Sequence, residues 1–283
     1  MDDLSPRASA AAAVRSVKSV VNYIGPMSER PRYYANDHSR DVLSLDPHTV
    51  SIEDARSLRQ APELDREGFV LVPHRSAIAD FRDGEEVAKT HPAEIEQLLL
   101  KVTGADHVTV NGSGLLRFSE RLADAGKSNN SWPARFIHID VSDETARQFA
   151  ERSRPKDIER PIRRWAHYNV WRAFSAPPQD CPLAVCAAES LAPEDMVVAD
   201  AIFDHFGQPE WSFESLLVRY SLRHRWVYYS NMTRDEALIF KTKDSDPARA
   251  HHVPHTAFDD PSAPKDAPPR ISLEMRAAAY WFD

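Results

Sequence analysis

Two cysteines in 283 residues, Cys181 and Cys186, exclude a disulfide-stapled scaffold and a four-thiolate zinc site within one chain. Reduced thiols in a cytoplasmic protein are the expected state. Glycine is also scarce, eight against 21 prolines, which fits an irregular, loop-rich chain better than a regular helical array. Long hydrophobic runs are missing. No stretch approaches the roughly 18 apolar residues of a membrane helix. The short alanine run near the N-terminus is followed by Arg15 and Lys18 and lacks the apolar centre of a signal peptide. Basic charge is in deficit, 35 Lys and Arg against 43 Asp and Glu, for a net charge of −8. Such a chain gains nothing from counterion release on nucleic acid. There is no solenoid repeat. These absences point to a cytoplasmic protein with no nucleic-acid or membrane partner, and a monomer or homodimer is expected.

Residues 8–22 read as a helical arm, which sets 1–22 apart from a single domain over 23–283. Residues 23–60, with Pro26, Pro31 and Pro47, read as an extended segment wrapping that domain. Gly68 supplies a break before a strand ending at Val72. The apolar positions Val87, Ile95, Leu98, Leu99 and Val102 recur at helical spacing over 83–103, and Gly104 stops the helix. A second helix spans roughly 143–153. Strand-like stretches include 135–140, 168–172, 183–186, 216–220, 226–229, 237–241, 254–258 and 270–276. Short strands separated by turn signals predict a mainly β sandwich or barrel with flanking helices.

The chemistry starts at His138-Ile-Asp140. In a strand, residues i and i+2 share a face, so an imidazole and a carboxylate stand side by side. A third ligand from a distant strand would complete a facial triad with open coordination positions, the pattern of non-haem Fe(II). His255, between Pro254 and the β-prone Thr256, is that ligand. His251 and His252 compete with it, but they follow a polar stretch and read as loop. His224, between Arg223 and Arg225, reads as solvated, and His167 and His205 are weaker candidates. Further on, Arg270 and Ser272 share a strand face. A guanidinium fork plus a hydroxyl matches the distal carboxylate of 2-oxoglutarate. Arg276 lies on the same face if the strand continues, and is the alternative anchor. Asn169, Trp171, Arg172 and Tyr228 are candidate substrate contacts, with Trp171 as core and Arg172 as a structural ion pair the competing readings. Gly126-Lys-Ser128 imitates a phosphate loop, but Arg121 occupies the position of its first glycine.

The chain resembles the family that groups the cephamycin methoxylation protein CmcJ with fungal gibberellin desaturases. The resemblance rests on Ile52-Glu-Asp-Ala-Arg56, Leu64-Asp-Arg-Glu-Gly-Phe69, Asp80-Phe81, Thr103-Gly-Ala105, His138-Ile-Asp140, Asn169-Val-Trp-Arg172 and Pro182-Leu-Ala-Val-Cys186. It continues through His224-Arg-Trp-Val-Tyr-Tyr229, Met232-Thr-Arg-Asp-Glu236, Pro254-His-Thr-Ala-Phe258 and Pro268-Pro-Arg-Ile-Ser-Leu-Glu-Met-Arg276. It implies a double-stranded β-helix (jelly-roll, cupin-like) and a dioxygenase that uses Fe(II), 2-oxoglutarate and O2 to hydroxylate or desaturate a small natural product or amino-acid-like compound. Two departures stand out. Val110-Asn-Gly-Ser-Gly-Leu-Leu-Arg117 replaces a Phe-Asp-His stretch followed by basic residues, which points to altered substrate choice at the mouth of the site. Ala187 stands where relatives carry an acidic residue. An iron oxygenase independent of 2-oxoglutarate and a non-catalytic binding protein of the same fold are the rival readings.

Overall fold

The computed structural model describes residues 14–127, 130–204 and 209–283. His205 and residues 1–13 of the expected arm lie outside them. The chain opens with strands β1 (Ser16–Ile24), β2 (Arg32–Tyr34), β3 (Leu45–Asp54) and β4 (Phe69–Pro73). Helix α1 (Gly84–Thr103) leads to β5 (His107–Phe118), β6 (Asn130–Ser131) and β7 (His138–Ile139). Helix α2 (Asp143–Arg152) precedes β8 (Ile162–Ala173), β9 (Leu183–Cys186), β10 (Met196–Phe203) and β11 (Trp211–Val218). The chain closes with β12 (Trp226–Tyr228), β13 (Glu236–Asp244), β14 (His255–Ala257) and β15 (Ile271–Phe282).

Two curled sheets face each other in a jelly-roll arrangement. One has the order β1-β3-β12-β9-β14-β7-β11-β10-β2, the other β4-β13-β8-β15-β5-β6. Period-2 alternation explains how they pack. On β8 and β15, Tyr168, Val170, Met275 and Ala277 point outward onto Ile95, Leu98 and Leu99 of α1. Their neighbours Asn169, Trp171, Glu274 and Arg276 point inward. Part of the space between the sheets is filled by Trp171, Val185, Val227, Phe240 and Val253. The rest is polar and holds the site. No helix among the described residues is long and apolar enough to cross a membrane.

Helix α1 forms where its pattern predicts. The Asp83 carboxylate accepts from the amides of Glu85 and Glu86, and Gly104 ends the helix with φ 65°. Helix α2 begins at Ser142, whose hydroxyl accepts from the Thr145 amide. The helical arm is corrected for residues 16–22, which fall in β1. Here Val17, Val21 and Tyr23 alternate with polar residues, and β1 pairs with β3 from Ser16↔Glu53 to Ile24↔Leu45. A paired ladder with Val21 and Tyr23 buried outweighs the weak helical propensity carried over from the alanine run. The segment 23–60 likewise contains β2 and β3, and β1 is continuous with the sheet rather than apart from it.

A bulge interrupts β5. Leu115 pairs with Glu274 and Asn111 pairs with Arg276, so β5 carries extra residues between two pairs that are adjacent inward positions on β15. Gly112 (φ 74°) and Gly114 (φ 95°) supply the left-handed backbone this requires. A Cβ on Gly114 would sit 2.7 Å from Met275 Sδ and 2.8 Å from Leu273 Cδ1, whereas one on Gly112 meets nothing within 4 Å.

Two predictions follow from this packing. Gly114→Ala is expected to cost about 1–3 kcal/mol in urea unfolding through strain plus crowding, and Gly112→Ala only about 1 kcal/mol from backbone strain. Equal costs would contradict the crowding argument. The second concerns His167, whose Nε2 hydrogen-bonds the Ala146 carbonyl at 2.9 Å. Burial pushes its pKa from 6.5 down to about 4. The folded state therefore holds it neutral, and its stabilising contribution is complete above the unfolded value of 6.5. That contribution is lost as pH falls from 6.5 towards 4. Calorimetry should show Tm falling more steeply over this window in the native chain than in His167→Gln; parallel profiles would refute it.

Candidate metal centre

Ile139 of β7, and Ile137 just before it, turn into the outer apolar cluster. His138 therefore faces inward. It pairs directly with His255 of β14, which brings the ring centroids to 4.3 Å. Both imidazoles are held the same way. His138 Nδ1 lies 3.1 Å from the Phe136 carbonyl, and His255 Nδ1 lies 3.2 Å from the Val253 carbonyl. A carbonyl only accepts, so each Nδ1 carries the proton and each Nε2 keeps its lone pair for the site. Burial, reinforced by the neighbouring His255, pushes His138 down to about 3. Burial lowers His255 as well. Both rings are thus neutral, the form that binds a metal.

Asp140 completes the cluster. Its Oδ2 accepts from Asn169 Nδ2 at 2.5 Å and lies 3.7 Å from His255 Nε2. Its Oδ1 accepts from Arg276 Nη2. Burial by itself raises the carboxyl pKa, but Arg276, His255, His138 and Asn169 together outweigh it and hold Asp140 ionised, below the usual carboxylate range. One ligand atom from each of His138, Asp140 and His255 lies within 4.8 Å of the others, and all three residues are buried. Arg276 also donates from Nε to Glu274 Oε1 at 2.9 Å.

Beside the histidines, a small cavity is lined by Arg117, His138, Trp171, His255, Arg270 and Glu274. Arg270 is 1% exposed. Its Nη1 donates to the Cys181 carbonyl at 2.8 Å, and its guanidinium lies 5.7 Å from the Trp171 ring centroid. Arg270 Nε and Ser272 Oγ have no hydrogen-bond partner. No carboxylate among the described residues forms an ion pair with Arg270, and burial lowers its pKa. A buried cation and hydroxyl left in this state are costly unless a ligand satisfies them.

A larger cavity, 370 Å3, extends from Asp140, Asn169 and Arg276 to Phe203, Trp211 and Phe213. The Gly112 and Gly114 bulge lines it, in the stretch where the sequence departs from its resemblance.

Of the expected substrate contacts, Asn169 lines this larger cavity and Trp171 the smaller one. Arg172 is a correction. One residue on from Trp171, it faces the outer side of the sheet, with Nη2 2.5 Å from His74 Nδ1 and the guanidinium 5.3 Å from the Phe81 centroid. Tyr228 is a second correction. It belongs to the outer cluster of Ile137 and Ile139 and packs edge-on against Phe258 at 5.3 Å. His224 is not solvated: its side chain is 1% exposed and stacks on Tyr23 at 5.5 Å. His252 bonds Asp143 at 2.7 Å, away from the cluster. Both cysteines are free and buried. The sequence marks Arg276 only as the alternative cosubstrate anchor; its contact with Asp140 and the part of Glu274 come from the structure, although positions 270, 272, 274 and 276 share the period that marks Arg270 and Ser272.

Comparison with known proteins agrees with this geometry. The family described as oxidoreductase/YMDC permease-like domain matches residues 21–280. The Fe(II)/2-oxoglutarate-dependent dioxygenase nvfI of Aspergillus novofumigatus (strain IBT 16806) is 30% identical over 242 residues, 83% of this chain and 84% of that protein. The hydroxylase/desaturase CTB9 of Cercospora beticola is 29% identical over 252 residues, 83% of this chain and 77% of that protein. The solved structure of the iron and alpha-ketoglutarate-dependent endoperoxidase NvfI superposes with a TM-score of 0.80 at 25% identity, covering 95% of this chain and 99% of the other. The family match over residues 21–280 and the 30% identity to a relative covered over 84% of its length place the protein: it belongs to the oxidoreductase/YMDC permease-like domain family, among the relatives of Fe(II)/2-oxoglutarate-dependent dioxygenases.

Proposed function

We propose that this chain is a cytoplasmic Fe(II)/2-oxoglutarate-dependent oxygenase that hydroxylates or desaturates a small molecule. His138, Asp140 and His255 hold the iron, and Arg270 with Ser272 takes the distal carboxylate of 2-oxoglutarate. One observation carries this reading. A buried guanidinium just before β15 and a buried hydroxyl on it, both with unused hydrogen-bonding capacity, lie beside two neutral imidazoles and an ionised carboxylate. Two imidazoles and one carboxylate are the donor set of a facial iron site. The distal carboxylate of 2-oxoglutarate supplies what Arg270 and Ser272 lack. Arg276 fits that role less well, because Asp140 and Glu274 already engage it.

Iron, 2-oxoglutarate and O2 together supply the oxidising power, with succinate and carbon dioxide as the co-products. This chain supplies placement. The Phe136 and Val253 carbonyls fix the imidazole tautomers. Asn169 and Arg276 fix the Asp140 carboxylate. Trp171 lies against Arg270, and the apolar filling between the sheets excludes water. The catalytic unit is a single domain that includes β1, and the buried free thiols suit the cytoplasm.

His138→Ala should abolish stoichiometric iron, read by metal analysis after anaerobic reconstitution. Full iron content in that variant would remove His138 from the site. Arg270→Gln should keep iron but weaken 2-oxoglutarate on the order of 100-fold, the scale of losing a charge-assisted pair, measured by anaerobic titration of the charge-transfer absorption. If the loss falls on Arg276→Gln instead, the anchor is Arg276.

A further inference from the structure

The larger cavity has walls of two kinds. One is a continuous aromatic shelf. Strands β10 and β11 pair Phe203 with Trp211 and Ala201 with Phe213, so three rings lie close together. Phe203 and Trp211 stack at 4.4 Å, and Phe203 and Phe213 stack at 5.4 Å. Phe149 of α2 continues the shelf, edge-on to Phe213 at 5.2 Å. Trp211 remains 49% exposed, an apolar surface that a ligand would cover.

The other feature is charge. Arg276 lies between Asp140 and Glu274, so both carboxylates compensate it. Arg152, the last residue of α2, lines the same cavity. Its guanidinium lies 5.6 Å from the Phe149 ring centroid. Among the described residues it forms no ion pair and no hydrogen bond. It is an exposed cation with no counter-ion among the described residues, beside an apolar shelf. A lone guanidinium fork suits a carboxylate, whereas a phosphate dianion would call for more positive charge.

We propose that the cavity takes a ring-bearing, mainly apolar substrate that lies on the Phe149–Phe203–Trp211–Phe213 shelf and directs a carboxylate to Arg152. This rests on reading the cavity as the substrate pocket of the oxygenase. Ring stacking supplies affinity that tolerates different ring systems. The Arg152 pair selects the acid and sets which end of the molecule faces Asp140 and the histidines.

The test uses the full-length, metal-free protein, so it does not depend on iron or 2-oxoglutarate. The probes are 9-anthracenecarboxylate and the neutral 9-anthracenemethanol, titrated by calorimetry. The native chain should bind the acid about fivefold more tightly than the alcohol, the upper scale of one exposed charge pair. Arg152→Gln should erase that preference while keeping the affinity for the alcohol within about twofold, and Trp211→Ala should weaken both probes about tenfold. No measurable binding of the acid by the native chain overturns the proposal. So does equal binding of acid and alcohol, or a preference that survives Arg152→Gln. Unchanged affinities in Trp211→Ala overturn the shelf. Iron and 2-oxoglutarate binding by the native chain, measured separately, tells whether the oxygenase reading or only the substrate class has failed.

Discussion

The site depends on how one buried carboxylate is held. Asp140 leaves β7 in one sheet and meets Asn169 and Arg276 from β8 and β15 of the other. An unpaired carboxylate at this depth would protonate or destabilise the fold. Arg276 keeps it charged, and Glu274 in turn balances Arg276. The chain of charges crosses the gap between the sheets and fixes the distance between the paired histidines and the inner face of β15. The polar part of the interior is therefore built for a site, while Trp171, Val185, Val227, Phe240 and Val253 carry the apolar packing beside it.

Strand alternation does most of the sorting. On β8, Val170 faces helix α1 while Asn169 and Trp171 face the interior. On β15, Met275 faces α1 while Ser272, Glu274 and Arg276 line up on the inner side. β15 and the residue just before it thus contribute the proposed cosubstrate anchor at one end and the partner of Asp140 further along. Slipping β15 by one residue would bury arginine under α1 and turn methionine into the site, and slipping β8 would do the same with Asn169 and Val170. The β5 bulge is tolerated because glycine occupies its left-handed positions, and it opens the larger cavity next to Arg276.

Much of the fold was legible. The apolar spacing over 83–103 and the Gly104 stop predicted α1 almost to the residue. The stretch 183–186 reads as a strand from its sequence alone and is β9. Period 2 predicted that His138 and Asp140 lie together, as do Arg270 and Ser272. Less visible were β1, β3 and β10, because their burial comes from neighbours far away in sequence. Arg172 and Tyr228 stand out in the sequence as candidate site residues because composition marks a residue as notable without saying which face of its sheet is covered by what.

The sequence by itself determined which residues are chemically equipped and which local faces they share, because spacing along a strand or helix fixes direction. Only the tertiary structure decided which faces meet. His255 rather than His251 or His252 pairs with His138, because antiparallel register between β14 and β7 sets that partner. Arg276 reaches Asp140, and Arg270 is left with an unpaired donor beside the histidines, because two distant sheets close over one another. Hydrogen-bond register and sheet closure are long-range constraints, and no local pattern encodes them.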